Sequence, residues 1–545
     1  MSFYYSTNHT ASRATLRDAV VRGLAEDRGL YMPEVIKQLP ATFWQEIADL
    51  TFQEVACRVA DAFFGEDVPA EDLHRIVCDT LSFDTPVVHV EDNIYALELF
   101  HGPTLAFKDV GARFMARLLQ YFIRQKPTTS PDGQRGGSLN VLVATSGDTG
   151  SAVANGFLGV DGIHVYVLYP KGKVSPIQEC QFTTLGQNIT ALEVDGVFDD
   201  CQRLVKSAFM DADLNSHMRL TSANSINVAR FLPQAFYYFW AYAQILKLSH
   251  PAPSHEVQQA SPSPSSPAAP SHEVQQAAAP SSSSSSAPSS SSSSAPASSP
   301  ASISSSPSAC RLGAARIRVD IPLAPSSPSA DLKLVFCVPS GNFGNICSAL
   351  FGHVMGLPVH RFIAANNAND VFCQYLQTGT YTPRPSIQTI ANAMDVGDPS
   401  NFARILDLYS RPDVQSVLKS RDIAQPLPSP AGQIEAAPSS PFLSATTYTD
   451  AQIAATMRDC YARTGYVLDP HGACGYRALK EHLLPDEIGV FLETAHPAKF
   501  KDTVDAILGI DLPVPGKLQA FMRGRKQSIP LSADFADFKA FLLAE

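Results

Sequence analysis

The residues Val335-Phe336-Cys337-Val338-Pro339-Ser340-Gly341-Asn342-Phe343-Gly344-Asn345 lead from an apolar run through a glycine-rich turn into a helical pattern. We expect a strand at Lys333–Val338, a helix at Asn345–Met355 and a further strand at Arg361–Ala365. The glycines let the backbone approach a ligand closely, and the N–H groups that open a helix can bind a phosphate. A turn of this kind also occurs for geometrical reasons alone, so the turn by itself does not identify a ligand.

The same order of strand, turn and helix recurs along the chain. The pattern predicts strands at 93–100, 139–144, 164–168 and 488–492, and helices at 107–124 and 151–158. Repeated units of this kind indicate an α/β protein with open parallel sheets covered by helices. In such sheets ligands bind beyond the carboxyl ends of the strands, which is where the glycine-rich turns lie.

The turn Thr145-Ser146-Gly147-Asp148-Thr149-Gly150 follows the strand expected at 139–144. Three hydroxyl groups and a helix N-terminus suit the carboxylate of a substrate. The alternative is an ordinary helix cap in which Asp148 stabilises the helix dipole. An ionised aspartate has no hydrogen to donate, so Asp148 either accepts from a hydroxyl or orients the turn.

Lys108 stands among apolar neighbours, Phe107 and Val110, between the Gly102-Pro103 turn and a helix. Desolvation lowers the pKa of an ammonium group, and a neutral amine can attack a carbonyl to form a Schiff base. The alternative is a lysine at a helix start that merely reaches solvent. Three segments further along the chain, at 145–150, 339–344 and 494–500, favour the reactive lysine over this alternative.

The segment Asn224-Ser225-Ile226-Asn227-Val228-Ala229-Arg230 gathers polar groups and one guanidinium. A guanidinium suits a phosphate monoester because it can donate two parallel hydrogen bonds. The alternative is a helix cap followed by a surface arginine. A second basic segment, Lys171 to Ser175, could also meet an anion, although lysines at strand ends are commonly just solvated.

Composition narrows the class of protein. The chain of 545 residues carries a net charge of −11 and lacks a basic stripe, which disfavours nucleic acid and anionic membranes as partners. Its ten cysteines are scattered without metal-site or disulfide spacing, so we predict no metal and a reducing, cytoplasmic location. No secretory signal opens the sequence, and polar residues interrupt the aromatic segment Phe231–Leu248, which favours a buried helix over a membrane span.

The chain divides by composition. Helical spacing at Ser12–Leu24 and Phe43–Phe64 predicts a helical N-terminal domain at 1–84, followed by a catalytic domain at 85–250 and 331–545. Residues 251–330 are dominated by Ser, Pro and Ala, and we expect a disordered insertion there because it has too little apolar surface to fold. Shorter loops are expected at 126–138 and 425–441.

Read in order, the segments around Lys108, at 145–150, at 339–344 and at Thr494-Ala495-His496-Pro497-Ala498-Lys499-Phe500 resemble the threonine synthase family. These are pyridoxal-phosphate enzymes of the tryptophan-synthase-β-like fold type II. The resemblance covers nearly the whole chain outside the insertion and the two loops. It implies two open-sheet subdomains that close on the cofactor, a monomer, and conversion of O-phospho-L-homoserine and water to L-threonine and phosphate.

The resemblance also implies roles for individual residues. Lys108 would bind the cofactor as a Schiff base and then move protons, and Thr494 would be a neutral partner of the ring nitrogen. His496 could equally be a core or capping histidine. The remaining assignments are the cofactor phosphate to Gly341, Asn342, Phe343 and Gly344, the substrate carboxylate loop to Ser146, Asp148 and Thr149, and the substrate phosphate to Ser225, Asn227 and Arg230. A related enzyme that eliminates or replaces a β-substituent of serine or threonine is the alternative.

Overall fold

The computed structural model describes residues 1–125, 138–249, 332–420 and 442–544. The insertion expected at 251–330 lies outside these residues. So do the loops expected at 126–138 and 425–441, except for Ser138.

The N-terminal segment combines a small sheet with four helices. Its elements are β1 (Phe3–Ser6), β2 (Ala14–Thr15), α1 (Leu16–Arg22), β3 (Tyr31–Pro33), α2 (Ala41–Glu46), α3 (Phe52–Phe64) and α4 (Ala70–Thr80), with a 3₁₀ turn at Ile47–Asp49. The strands pair antiparallel in the order β2-β1-β3. Helical spacing anticipated α1 and α3, whereas strands of two to four residues are too short to show alternation in the sequence.

The segment from 85 to 249 alternates strands and helices. Its elements are β4 (Val87–Glu91), β5 (Ile94–Glu98), α5 (Lys108–Arg124), β6 (Leu139–Ala144), α6 (Asp148–Phe157), β7 (Ile163–Pro170), α7 (Pro176–Thr183), β8 (Ile189–Val194), α8 (Phe198–Met210), α9 (Ala212–His217), β9 (Arg219–Ser222), α10 (Val228–Phe231), a 3₁₀ turn at Leu232–Gln234 and α11 (Ala235–Ser249). The predicted strands and helices of this segment are present, and α6 begins three residues earlier than expected, at Asp148.

The segment after 331 continues the alternation. Its elements are β10 (Leu334–Pro339), α12 (Gly344–Val354), β11 (Arg361–Asn366), α13 (Val371–Thr378), a 3₁₀ turn at Asn392–Met394, α14 (Phe402–Ser410), α15 (Pro412–Ser420), β12 (Leu443–Thr447), α16 (Asp450–Thr464), α17 (Pro470–His482), β13 (Ile488–Glu493), a 3₁₀ turn at Pro497–Phe500, α18 (Lys501–Leu508), α19 (Gly516–Met522), β14 (Ser528–Leu531) and α20 (Phe535–Ala544).

Two larger sheets form the core of the protein. The six-stranded sheet has the order β12-β11-β10-β13-β5-β4 and is parallel except for the β4–β5 pair. The five-stranded sheet has the order β14-β8-β7-β6-β9 and is parallel throughout. Strands β6, β10 and β11 are buried along their whole length, as strands covered by helices on both faces should be. The predicted α/β class with open parallel sheets is confirmed.

Strand order determines which loops meet. Strands β10, β13 and β5 are neighbours, so the residues after Pro339, Glu493 and Glu98 leave the six-stranded sheet at one edge. These residues are the glycine-rich turn, Thr494 and the loop that leads to Lys108. Strands β6 and β9 are likewise neighbours, and they deliver the turn at 145–150 and the segment at 222–230.

The aromatic helix α11 lies inside the protein. Most of its residues are buried, as expected of a core helix rather than an amphipathic surface helix. Among the described residues, no helix combines the length and hydropathy needed to cross a bilayer.

Candidate active site

Lys108 is the first residue of α5 and is half-buried. The loop before it is fixed by Asp109, whose carboxylate accepts hydrogen bonds from the Thr104 backbone N–H at 2.8 Å and the Thr104 hydroxyl at 2.7 Å. Gly102 packs so tightly on this carboxylate that a Cβ would lie 2.3 Å from Asp109 Oδ2. The Lys108 Nζ lies 5.6 Å from the centre of the Phe107 ring. The lysine is therefore held at one place, beside an apolar surface.

The amine of Lys108 is easily deprotonated. Desolvation, helped by the positive charges of Arg230 and Lys499 and opposed by the negative charge of Asp148, lowers its pKa from 10.5 to about 8. With a pKa of about 8, roughly a tenth of the amine is neutral at pH 7. A neutral amine is the form that attacks a carbonyl.

The turn at 340–344 has an unusual backbone. Phe343 adopts the left-handed conformation (φ 60°), which costs about 1 kcal/mol or more for a residue with a side chain. Its ring packs on Phe372 with a centroid distance of 4.6 Å, and this contact holds the conformation. A Cβ on Gly341 would lie 2.7 Å from Met394 Cα, so only glycine fits there. The turn then opens directly into α12, whose first N–H groups can face an anion.

Ser225 belongs to the wall of this turn. Its hydroxyl accepts hydrogen bonds from Asn342 Nδ2 at 3.0 Å and from Asn401 Nδ2 at 2.9 Å. The Asn401 amide also donates to the Asn342 carbonyl at 2.9 Å. A Cβ on Gly344 would lie 2.8 Å from Ser225 Cβ, so the serine touches the start of α12. Asn401 was missed from the sequence, because it lies in an unremarkable stretch before α14.

The turn at 145–150 carries a buried ion pair. Asp148 Oδ1 accepts from Gln178 Nε2 at 2.9 Å and lies 2.6 Å from Lys499 Nζ, and all but a few per cent of both charged side chains is buried. The Lys499 amine also donates to the Thr104 carbonyl at 2.9 Å. Although burial opposes ionisation, the charges of Lys499 and Lys108 hold the pKa of the Asp148 carboxyl well below its usual range. Asp148 is therefore an anion that Lys499 orients.

Ser146 and Thr149 lie on either side of the buried residues of the same turn. The turn itself is closed by Thr145, whose hydroxyl accepts from the N–H groups of Gly147 at 2.9 Å and Gly150 at 2.8 Å. Ser146 and Thr149 are half-buried, and within the described ranges no hydrogen bond engages their hydroxyls. These two hydroxyls can therefore donate to a ligand.

Thr494 adjoins the lysine loop. Its carbonyl accepts a hydrogen bond from the Phe107 N–H at 2.9 Å, and the next residue, Ala495, forms a β-bridge with Ala106. The backbone of Thr494 is therefore hydrogen-bonded directly to Phe107, the residue that precedes Lys108. Nearby His496 is largely buried: its pKa is lowered to about 4 by desolvation, and its Nδ1 accepts from the Ala498 N–H at 3.1 Å. These contacts suit a capping histidine.

A buried network behind Thr494 links it to the glycine-rich turn. Asp469 accepts from the Ala495 N–H at 3.2 Å and pairs with His471 Nδ1 at 2.6 Å, while His471 Nε2 accepts from the Ala393 N–H at 3.1 Å. Residue 393 in turn abuts Gly341, because a Cβ there would lie 3.0 Å from the Ala393 carbonyl oxygen. Sequence patterns could not reveal this network, since its members come from three separate segments.

Arg230 and Asn227 lie beneath the site. Arg230 is buried and donates to the Lys108 carbonyl at 2.9 Å and to the Ala223 carbonyl at 3.1 Å, and burial lowers its pKa to about 10. The fully buried Asn227 amide donates to the Val20 carbonyl at 2.8 Å, and its oxygen caps α10. Both residues therefore have a positioning role. Arg230 holds the start of α5 at Lys108, and Asn227 holds the start of α10.

These residues fit pyridoxal phosphate. The turn at 341–344 leaves no room for side chains beside the helix start, Lys108 supplies an amine of lowered pKa, and Thr494 is a neutral residue whose backbone is hydrogen-bonded to the residue before Lys108. Together with the two parallel sheets, these features define the class of fold type II pyridoxal-phosphate enzymes.

Comparisons with known proteins identify the family within this class. The family model "Threonine synthase N terminus" matches residues 3–81, and "Threonine synthase, C-terminal" matches residues 472–542. The threonine synthase of Haemophilus influenzae is 35% identical over 540 residues, which cover 99% of each chain. The chain belongs to the threonine synthase family of pyridoxal-phosphate-dependent lyases.

Solved structures agree with this identification. The crystal structure of threonine synthase from Escherichia coli superposes with a TM-score of 0.72 at 33% identity and covers 100% of both chains. The structure of threonine synthase from Brucella melitensis, described as bound to pyridoxal phosphate, gives a TM-score of 0.74 at 30% identity and covers 100% of this chain and 99% of that one.

Proposed function

We propose that this chain converts O-phospho-L-homoserine and water to L-threonine and phosphate, the last step of threonine biosynthesis. The observation that carries the proposal is the position of Lys108. Its amine, with a pKa of about 8, lies in a loop held against Thr494 and against the Asp148–Lys499 pair of the second turn. Membership of the threonine synthase family supports the choice of reaction.

In this proposal the turn at 341–344 holds the phosphate of the cofactor. Its backbone N–H groups and the start of α12 supply the donors, since a helix N-terminus attracts negative charge. Asn342 and Ser225 brace the turn through their mutual hydrogen bond of 3.0 Å. Thr494 would be the partner of the ring nitrogen and, being neutral, would not keep that nitrogen protonated. When bound, the cofactor supplies an electron sink that lets protons leave the carbon atoms of the substrate.

Lys108 is the group that moves protons. Its amine would hold the cofactor and, when free of it, would act as a base beside the reacting carbons of the substrate. A base with a pKa near 8 can both accept and return a proton close to neutral pH. Arg230 contributes by holding the Lys108 carbonyl, which fixes the start of α5.

The turn at 145–150 is assigned to the substrate carboxylate. Ser146 and Thr149 offer hydroxyl donors and the start of α6 adds its N–H groups, while Asp148 anchors the turn through Lys499. For the substrate phosphate, Ser225 remains a candidate ligand within 225–230, with Asn227 and Arg230 acting through position. The exposed pair Lys171 and Lys173 follows β7 at the same sheet edge and is the alternative cation source.

The direct test is substrate discrimination by the purified holoenzyme. Inorganic phosphate and threonine should appear in equal amounts from O-phospho-L-homoserine, and free serine and threonine should give little keto acid. Keto acid formation from serine or threonine, without phosphate release from phosphohomoserine, would favour the β-eliminating alternative and overturn the proposal.

We also propose that the enzyme acts as a monomer in the cytoplasm, with an N-terminal domain at 1–84 and a catalytic domain made of 85–250 and 331–545. Light scattering coupled to size-exclusion chromatography measures the oligomeric state. A mass near 58.7 kDa is expected for the monomer.

A further inference from the structure

Helices α3 and α4 bring together three side chains of types that bind metals, and none of the three belongs to the candidate active site. Cys57 comes from α3, and His74 and Cys78 come from α4, where the spacing of four residues places both on one face. Their ligand atoms all lie within 4.8 Å of one another. We infer that Cys57, His74 and Cys78 form a binding site for Zn²⁺ or a similar thiophilic divalent ion.

The distance between Cys78 and His74 fits tetrahedral coordination. With metal bonds of about 2.3 Å to sulfur and 2.0–2.1 Å to nitrogen, a tetrahedral site separates these ligand atoms by roughly 3.5–3.8 Å. Cys78 Sγ lies 3.7 Å from His74 Nε2 and 3.8 Å from His74 Nδ1. The ligand atom of Cys57 lies within 4.8 Å of the other two and completes the set.

The donor set selects the metal. Two thiolates and one imidazole favour Zn²⁺ over Mg²⁺ or Ca²⁺, which prefer oxygen ligands. Two thiolates also cancel the charge of a divalent ion, which suits a half-buried position. His74 is exposed and both cysteines are half-buried, so the ion can enter from solvent and a water or a further ligand can take the fourth position.

The helices present this cluster on an ordered frame. A capping box at Thr51 and Glu54 fixes the start of α3, and its buried residues Val55 and Val59 flank Cys57 in sequence. The end of α4 is held by Arg113 of α5, which donates to the carbonyls of Thr80 at 3.0 Å and Asp79. A metal at Cys78 would therefore tie α3 to the end of α4, on which α5 rests, so we expect a structural role.

Sequence patterns did not predict this site. The pair His74 and Cys78 is too short a motif to be informative, and the third ligand arrives from another helix. The expectation of no metal rested on the absence of Cys-x-x-Cys and paired-histidine spacing, which describes only sites built within one segment.

The test uses the full-length holoenzyme without a polyhistidine tag, reduced and freed of metal by a chelator. Titration with Co²⁺ should produce thiolate-to-metal absorption that saturates at about one ion per chain, and Zn²⁺ should displace the Co²⁺. Cys57→Ser and Cys78→Ser should each abolish the band. The control Cys180→Ser changes a half-buried cysteine on α7 and should leave it intact.

His74→Gln keeps the test independent of folding, because the side chain is exposed and its replacement removes no core contact. This variant should weaken Co²⁺ binding roughly tenfold or more while its circular dichroism stays unchanged. Metal loading should raise the melting temperature of the parent chain and not that of Cys78→Ser. The inference is overturned if no thiolate band forms, if the band survives in Cys57→Ser and Cys78→Ser, or if His74→Gln binds Co²⁺ as tightly as the parent.

Discussion

The two glycine-rich turns share a topology and differ in charge. Each follows a buried parallel strand and opens a helix, α6 in one case and α12 in the other. The turn at 145–150 contains the buried anion Asp148, which pairs with Lys499 from the segment after Thr494, whereas the turn at 340–344 contains no ionisable side chain. A strand–turn–helix unit thus supplies a common frame, and the side chains decide what it does.

The uncharged turn at 340–344 suits an anion that stays bound, such as the phosphate of a cofactor. Gly341 and Gly344 leave room for other groups only because they lack a Cβ, and the left-handed Phe343 bends the backbone toward the helix start. The charged turn at 145–150 affects Lys108 instead. Its Asp148 raises the pKa of the Lys108 amine, and Lys499, the partner of Asp148, lowers it.

The largest effect should come from removing Lys108, the proposed link to the cofactor. Lys108→Ala should lower turnover on the order of a thousandfold or more, because it removes both the cofactor link and the proton-transfer base. Lys108→Arg keeps the positive charge but cannot form the link, so it should be equally inactive. Steady-state phosphate release measures both variants, and substantial activity in either would mean that another residue is the base.

The uncharged turn is tested by adding a single carbon atom. Gly344→Ala places a Cβ 2.8 Å from Ser225 Cβ, so the start of α12 must shift, and cofactor affinity should fall roughly tenfold or more. Gly516→Ala is the matched control, because a Cβ there meets nothing within 4 Å. Cofactor titration by fluorescence compares the two. Equal affinities would place the phosphate cradle elsewhere.

The charged turn is tested by the pH dependence of cofactor loading. Because the pKa of Lys108 is lowered to about 8, the rate at which the apo chain takes up the cofactor should rise with pH and level off above about 8. Lys499→Met removes a positive charge that lowers this pKa, so the profile should move to higher pH. Asp148→Asn removes a charge that raises it, so the profile should move to lower pH.

These opposite shifts distinguish an electrostatic effect from general damage. Each unit of change in the pKa changes the neutral fraction at pH 7 by up to about tenfold. Lys501→Met, which removes a lysine paired with Asp505 and Asp511 near the surface, should leave the profile unchanged. Shifts in the same direction for Lys499→Met and Asp148→Asn would contradict the proposed control of Lys108 by the charged turn.

The smallest effect on turnover is expected at Thr494. A carboxylate in Thr494→Asp would favour a protonated ring nitrogen, so the partition between products should change while the fold stays intact. Thr494→Ser, which keeps the hydroxyl, is the control. The absorption spectrum and product ratios measure the outcome, and if both variants match the parent, Thr494 does not face the ring.

The sequence predicted what local patterns encode. Strand β6, the start of α5 near Lys108 and the glycine-rich turn before α12 follow from hydrophobic periodicity and turn residues. Strand order is not written in any one segment, so the approach of Thr494 to the lysine loop could be proposed only through family resemblance. The start of α6 at Asp148 was misplaced, because the turn and the first helical residues share the same polar composition.

Contacts between distant segments were beyond prediction. Lys499 belongs to the segment after Thr494 that the sequence singled out. Its partner Asp148, however, follows a strand of the five-stranded sheet in a distant part of the chain, so the pair could not be predicted. Arg230 carries a guanidinium that suits a phosphate, but burial directs it to the Lys108 carbonyl instead. Side-chain chemistry therefore indicated which residues matter, and only the packing indicated which of them touch one another.

Lys108 is the residue that we propose binds the cofactor. The most direct measurement is reduction of the holoenzyme with borohydride followed by peptide mapping by mass spectrometry. We expect a single pyridoxyl modification on the peptide that contains Lys108, and none on the buried Lys499. A modification on Lys499 or on any other lysine in place of Lys108 would show that Lys108 is not the cofactor-binding residue.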